Sequence, residues 1–186
     1  MKPTPDQIAQ ALEHVRYEIE SFLQTPDYCR SNKALEESVY FRKMAHCRVL
    51  YDFFTTKAEN RNQSNDDIVS EDFGFPVPTK ELYGDKPREL LNRFNKHLFH
   101  LTCDRLNTTP DTKAWRMDLL FPPVAQRSRE FIDHILRNRA LGVSAELTLW
   151  TELKAAVAAQ PPQPLQQNTS NVAPSQILVI EGKRGS

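Results

Sequence analysis

The sequence predicts an all-α fold: an irregular bundle of four to five helices with a long internal loop and a disordered C-terminal tail. Three observations carry that prediction. Apolar residues recur at three- and four-residue spacing through most of the first 159 residues, which sets them along one side of each helix. Only five glycines occur in 186 residues, too few for a turn-rich all-β fold. From Gln160 onward the chain turns to PPQPLQQNTSNVAPS, a composition that cannot bury enough apolar surface to fold by itself. The organisation expected is therefore a helical domain over 1–159 and a tail over 160–186.

The first helix is marked at both levels. Thr4 with Gln7 three residues on is a capping-box pattern, and Pro5 suits the first helical position. Ile8, Leu12, Val15, Ile19 and Phe22 then share one face, until TPDYCRSN at 25–32 breaks it. A second helix is expected from about Lys33 to Lys57, with Leu35, Val39, Leu50 and Phe53 inward and Val49 and Phe54 widening that face. His46 falls on the same face, where a hydrogen-bonded core histidine is the ordinary reading.

Residues 58–85 read as a long connection with an Asn-rich polar start and an aromatic, proline-bearing second half. So long a loop is seldom left structureless in a compact domain. Phe73, Phe75, Val77, Leu82 and Tyr83 favour wrapping onto the helices, where they bury apolar area. A third helix is expected from about Lys86 to Leu106, capped by Asp85, with Leu90, Phe94, Leu98 and Leu101 buried. TTPDTKAW restarts the chain at Pro110 as a short helix carrying Trp115 and Leu119. Pro122 and Pro123 then open a fourth helix with Val124, Phe131, Ile135 and Leu136 inward, ended by Gly142. Ser144 caps a fifth, with Leu147, Trp150 and Leu153 on its buried side. Within the tail, the apolar run Gln176 to Ile180 is a candidate for docking or for a protein partner.

Charge balances at 24 basic and 24 acidic residues, so net charge points to neither nucleic acid nor membrane. Locally it is uneven: residues 59–85 carry a net of −5 and residues 113–139 a net of +3. Cys29, Cys47 and Cys103 are odd in number and scattered, which fits reduced thiols in a cytoplasmic protein rather than a disulfide framework. No apolar run approaches the ~18 residues of a membrane span. Walker, GxGxxG, HExxH, EF-hand and GxSxG patterns are absent, and no cofactor is called for. The acids Asp66, Asp67, Glu71 and Asp72 lack the alternating spacing of a cation loop and read better as caps and solvated loop charge.

The one stretch with a chemical rationale lies on the expected third helix. Arg93, His97, His100 and Asp104 stand at i, i+4, i+7 and i+11, along one side of a helix. An arginine holds a phosphate by two hydrogen bonds, and a histidine moves protons near neutral pH. Asp104, one turn from His100, can orient its ring. Those are the services a backbone phosphodiester needs at its phosphorus and its ribose 2′-hydroxyl. Two other readings compete, one bland and one functional. The stripe can simply pair with the acidic loop, or His97 and His100 can share a metal ion, although two ligands do not make a site.

Arg93 followed by His100 also resembles the Arg-x4–6-His signature of the HEPN superfamily of helical domains. Residues 36–106 are similar to an uncharacterised bacterial group of small HEPN-like proteins. The resemblance is carried by ESVYFRKMAHCRVLYDFF (37–54), DDIVSEDF (66–73) and NKHLFHLTCDR (95–105). It implies a bundle of four or five helices that often dimerises, with the Arg and His of two protomers in one cleft. It implies further that Arg93 contacts phosphate and His100 serves in acid–base catalysis of metal-independent RNA cleavage, in a defence or toxin setting. Other members bind nucleotides or act as inert partner modules. Phe94 stands where active members carry a polar residue, and Asn95 is the next polar residue in line. The competing expectations are a non-catalytic interaction module that recruits a protein partner, through the tail among other surfaces, and a metal-dependent hydrolase built from His46, His97, His100 and loop carboxylates.

Overall fold

The computed structural model describes residues 2–24, 33–60, 67–84, 117–138 and 144–159. Among them are four α-helices and no strand: α1 (Pro5–Leu23), α2 (Lys33–Thr55), α3 (Met117–Arg137) and α4 (Ser144–Ala159). Short 3-10 turns occupy Ala58–Asn60 and Ser70–Phe73. None of these helices is long and apolar enough to cross a membrane. The all-helical fold expected from the sequence is therefore observed. The expected helix over 86–106, Trp115, Gly142 and the tail 160–186 lie outside the described residues.

α1 forms as its sequence dictates. Thr4 Oγ1 accepts from Gln7 N at 3.3 Å, and Gln7 Oε1 accepts from Thr4 N at 2.8 Å. Each bond satisfies a backbone donor that helix geometry leaves without a partner. Leu12, Val15, Ile19 and Phe22 are buried, and Ile8 packs at the edge of the same cluster. α1 packs on α2, α2 on α3, α3 on α4, and α1 also touches α3 and α4, so one apolar cluster joins all four.

In α2 the inward face differs in part from expectation. Leu50, Phe53 and Phe54 are buried as expected, and Met44 and Cys47 join them, while Leu35 and Val49 are exposed. At about 100° per residue, the buried residues from Phe53 round to Met44 span roughly half the helix, and Val49 lies about 40° beyond that arc. Neighbouring Phe53 and Phe54 are both inward because α2 is packed on two sides, by α1 and by α3 with residues 70–75.

The loop does wrap. Phe73 and Phe75 are buried, and Leu82 and Tyr83 pack against the core. The Ser70–Phe73 turn closes on Gly74, whose φ of 69° is left-handed, a conformation glycine adopts without steric cost. Two of the loop acids are caps. Asp72 Oδ2 accepts from Val69 N at 2.9 Å, and Glu71 Oε2 accepts from Ala58 N at 2.7 Å, tying the end of the α2 connection to the turn.

α3 corrects the expected boundary. It begins at Met117, so Leu119 belongs to it, and Pro122 and Pro123 sit inside the helix rather than opening it. Each proline lacks the N–H that would reach back four residues, and an interior proline costs about 3 kcal/mol. Burial offsets that cost: Leu120, Phe121 and Val124 are all in the core, and each large apolar side chain stabilises by about 1.5–3 kcal/mol. Phe131 and Ile135 are buried as expected, and Leu136 packs at the core's edge. α4 buries Trp150 and Leu153.

Candidate functional site

Arg93, Asn95, His97, His100 and Asp104 lie outside the described residues, as does Asp66. Two other constellations of polar groups are built by the described ones.

The first joins α1 to α2. Glu18 faces His46 across the two antiparallel helices, with His46 Nδ1 and Glu18 Oε2 2.7 Å apart. The Tyr17 ring meets the imidazole edge to face, centroids 5.6 Å apart at 83°. Nearby, Arg42 reaches the carbonyl of Ser21 at 3.4 Å. A carboxylate on one ring nitrogen orients an imidazole and fixes its tautomer. His46 is thus a hydrogen-bonded residue half-sunk between helices, the ordinary reading of a histidine on that face. Among the described residues no group of three His, Cys, Asp or Glu is placed to hold a metal ion.

Beside this pair lies an open groove of about 440 Å³ between α1, α2 and residues 67–69. Ala11, Val15, Leu50, Phe53 and Val69 form an apolar floor, and Glu18, Asp52 and Asp67 stand on its rim. Burial pushes the Asp52 carboxyl above its ordinary range, the ion pair with Arg48 opposes the rise, and Asp67 adds to it. A smaller hollow of about 300 Å³ continues the groove along α1 toward Lys2, the two sharing Ala11, His14 and Ile68. His14 and Glu18 are one turn apart on α1, so the groove has one imidazole near its middle and carboxylates at one end. Further along α2, burial and then the neighbouring Arg42 hold the Lys43 ammonium down to about 8.

The second constellation fastens the loop to α3. Arg127 and His134 stand seven residues apart on one side of α3, with Phe131 between them. His134 Nε2 donates to the carbonyl of Phe73 at 2.8 Å. The Arg127 guanidinium lies over the Phe75 ring, 3.9 Å from its centroid, and donates to the carbonyl of Pro76 and to Glu130. An Arg-x6-His pair therefore occurs a second time in this chain, and there both side chains are spent on backbone carbonyls. Beneath them, Phe53, Phe54, Phe73, Phe75 and Trp150 all make ring contacts with Phe131.

Cys47 faces the α3 side, where its Sγ lies 3.8 Å from the carbonyl of Leu120. Burial pushes its thiol up to about 12, against smaller opposing effects of Tyr83 and Arg48. It is an inert core thiol.

Sequence reasoning missed Glu18, Asp52, Arg127 and His134. The signal for the last two was the coincidence of their spacing with Phe131, which puts polar groups beside a buried ring on one helix face. For Glu18 and Asp52 the sequence carried no comparable signal, because their groove is made by three separate segments. No family model, curated protein or solved structure matches the chain.

Proposed function

We propose that this is a HEPN-like protein that binds RNA and cleaves it at Arg93 and His100, without a metal. One observation carries the reading: segments 37–54, 66–73 and 95–105 follow in the order and spacing of HEPN-like proteins, with Arg93 and His100 at the signature spacing. The fold supports it, since the described residues form helices joined by loops and no strand. So does the packing of the first two segments. The first supplies most of α2, and the described part of the second seats Phe73 on Phe53, centroids 5.9 Å apart.

In this reading Arg93 holds the non-bridging phosphate oxygens and stabilises charge as it grows at phosphorus. His100 takes the proton of the ribose 2′-hydroxyl as the 2′-oxygen attacks phosphorus. The bond to the 5′-oxygen breaks, the leaving alkoxide takes a proton, and a 2′,3′-cyclic phosphate remains on the upstream fragment. A dimer that sets two such helices across one cleft supplies a second histidine as the acid. Asn95, His97 and Asp104 are supporting residues.

The test is cleavage of mixed RNA by purified protein in EDTA, with 2′,3′-cyclic phosphate ends as the signature. His100→Ala is expected to lower the rate by a factor of at least ~100, the usual range for a general acid or base. Intact RNA at every protein concentration sinks the enzymatic reading, and absence of salt-dependent filter binding sinks the RNA reading altogether.

A second reading, a non-catalytic interaction module that recruits a protein partner, is favoured by a different observation. Tyr17 at 56%, Phe41 at 62% and Val49 at 51% relative exposure are apolar or aromatic side chains left in solvent on α1 and α2. A stable heteromeric complex lost on Phe41→Asp, with RNA neither bound nor cut, identifies it.

A further inference from the structure

The groove between α1, α2 and residues 67–69 has an apolar floor and a rim of three carboxylates, so its chemistry asks for an occupant that is apolar along part of its length and basic at one end. We infer that the occupant is residues 176–184 of this same chain, QILVIEGKR, docked in cis. Ile177, Leu178, Val179 and Ile180 supply the apolar part, and Lys183 and Arg184 supply the charge opposite Asp52 and Asp67.

Three observations support that choice. The floor residues Ala11, Val15, Leu50, Phe53 and Val69 are contributed by three segments and form a continuous apolar surface, with exposed Val49 at its edge. The continuation along α1 past His14 toward Lys2 makes the depression long rather than round, the shape that takes an extended peptide rather than a compact ligand. Glu18, Asp52 and Asp67 set carboxylates along the larger hollow and none line its continuation, a charge opposite in sign to that of Lys183 and Arg184.

Reach presents no obstacle. The chain leaves α4 at Ala159, and sixteen residues, 160–175, precede the segment. Extended, they span about 50 Å, whereas a domain of this size has a radius of gyration of about 15 Å. A tether of that length holds the segment near the groove at an effective concentration on the order of mM, so a weak intrinsic affinity fills it. The composition of 160–175 suits a linker, while 177–180 is the one apolar run in the tail. The docking is independent of Arg93 and His100, and its failure leaves the RNA reading untouched.

Hydrogen exchange read by mass spectrometry on the full chain tests it. Amides of 177–180 are expected to exchange about tenfold more slowly than in a free peptide of the same sequence. Val49→Asp, and separately Asp52→Asn with Asp67→Asn, are expected to restore the free-peptide rate while α2 peptides keep their protection. If Val49→Asp unfolds α2, the neutralised aspartate pair decides. Exchange at the free-peptide rate in the unaltered chain overturns the proposal. So does protection that survives the groove substitutions, which places the segment elsewhere. Protection that disappears on dilution to about 1 µM assigns the occupant to a second copy and overturns docking in cis.

Discussion

On the α2–α3 side of the bundle, Arg127 and His134 hold residues 73–76 down over a group of aromatic rings centred on Phe131. On the α1–α2 side, Glu18 holds His46 in much the same manner, yet the groove next to it stays open among the described residues. Both sides use a histidine fixed by an oxygen acceptor on another segment. The difference lies in what surrounds it. Where the neighbours are large rings, the polar pair closes a seal and is consumed in doing so. Where they are Ala11, Val15 and Leu50 with carboxylates above, the same kind of pair leaves a surface that a further segment can use. A histidine held by an oxygen acceptor on another segment thus seals the bundle or borders an open groove according to its apolar surroundings.

Three substitutions bear on that contrast. Phe131→Ala removes the ring in contact with six others and is expected to destabilise by about 3–5 kcal/mol, read from the denaturant midpoint. A loss below about 1 kcal/mol would mean the sealed side is no better packed than the open one. Arg127→Ala removes a charged hydrogen bond and a cation–π contact, and is expected to cost about 2 kcal/mol. Its signature is local: amides of 70–76 gain exchange while α1 keeps its protection. Equal loosening of α1 would show that the two sides do not behave separately.

The smallest effect belongs to Asp52 on the open side. Its carboxyl is held above the ordinary value in the folded protein, so the folded state binds that proton more tightly than the unfolded chain does. That contribution favours folding at low pH and is lost as pH rises through the raised folded pKa. Asp52→Asn is expected to remove this slope, flattening stability just above the ordinary carboxylate range. The side chain is 53% exposed, which keeps the change slight. An unaltered slope in the variant would assign the dependence to other carboxylates.

How far the sequence revealed these features follows from how local each one is. The start and inward face of α1 were legible because its cap, its proline and its apolar face all lie within twenty consecutive positions. The wrapping of Phe73 and Phe75 was legible because exposed phenylalanines in a long loop are unfavourable. The start of α3 was not, since Pro122 and Pro123 favour a helix opening locally and only the burial of Leu120 and Phe121 reverses that preference. Val49 misled because its spacing matches the core face and only the packing of α1 against α2 leaves it out. The acidic loop was read correctly as caps for Glu71 and Asp72, whose partners lie nearby in sequence. The groove was invisible, being a property of three segments together. Arg93 and His100 remain a reading of spacing and of resemblance.

The two prolines inside α3 have a mechanical consequence. Neither offers an N–H, so the carbonyls of Asp118 and Leu119 receive no backbone bond from four residues on, and the hydrogen-bond ladder of α3 is thinned near its start. Leu120 and Phe121 hold that first stretch chiefly by their side chains, Phe121 against the ring of Phe22 with centroids 5.4 Å apart. The start of α3 is therefore tied to α1 by a ring contact as well as by the thinned ladder along its own axis.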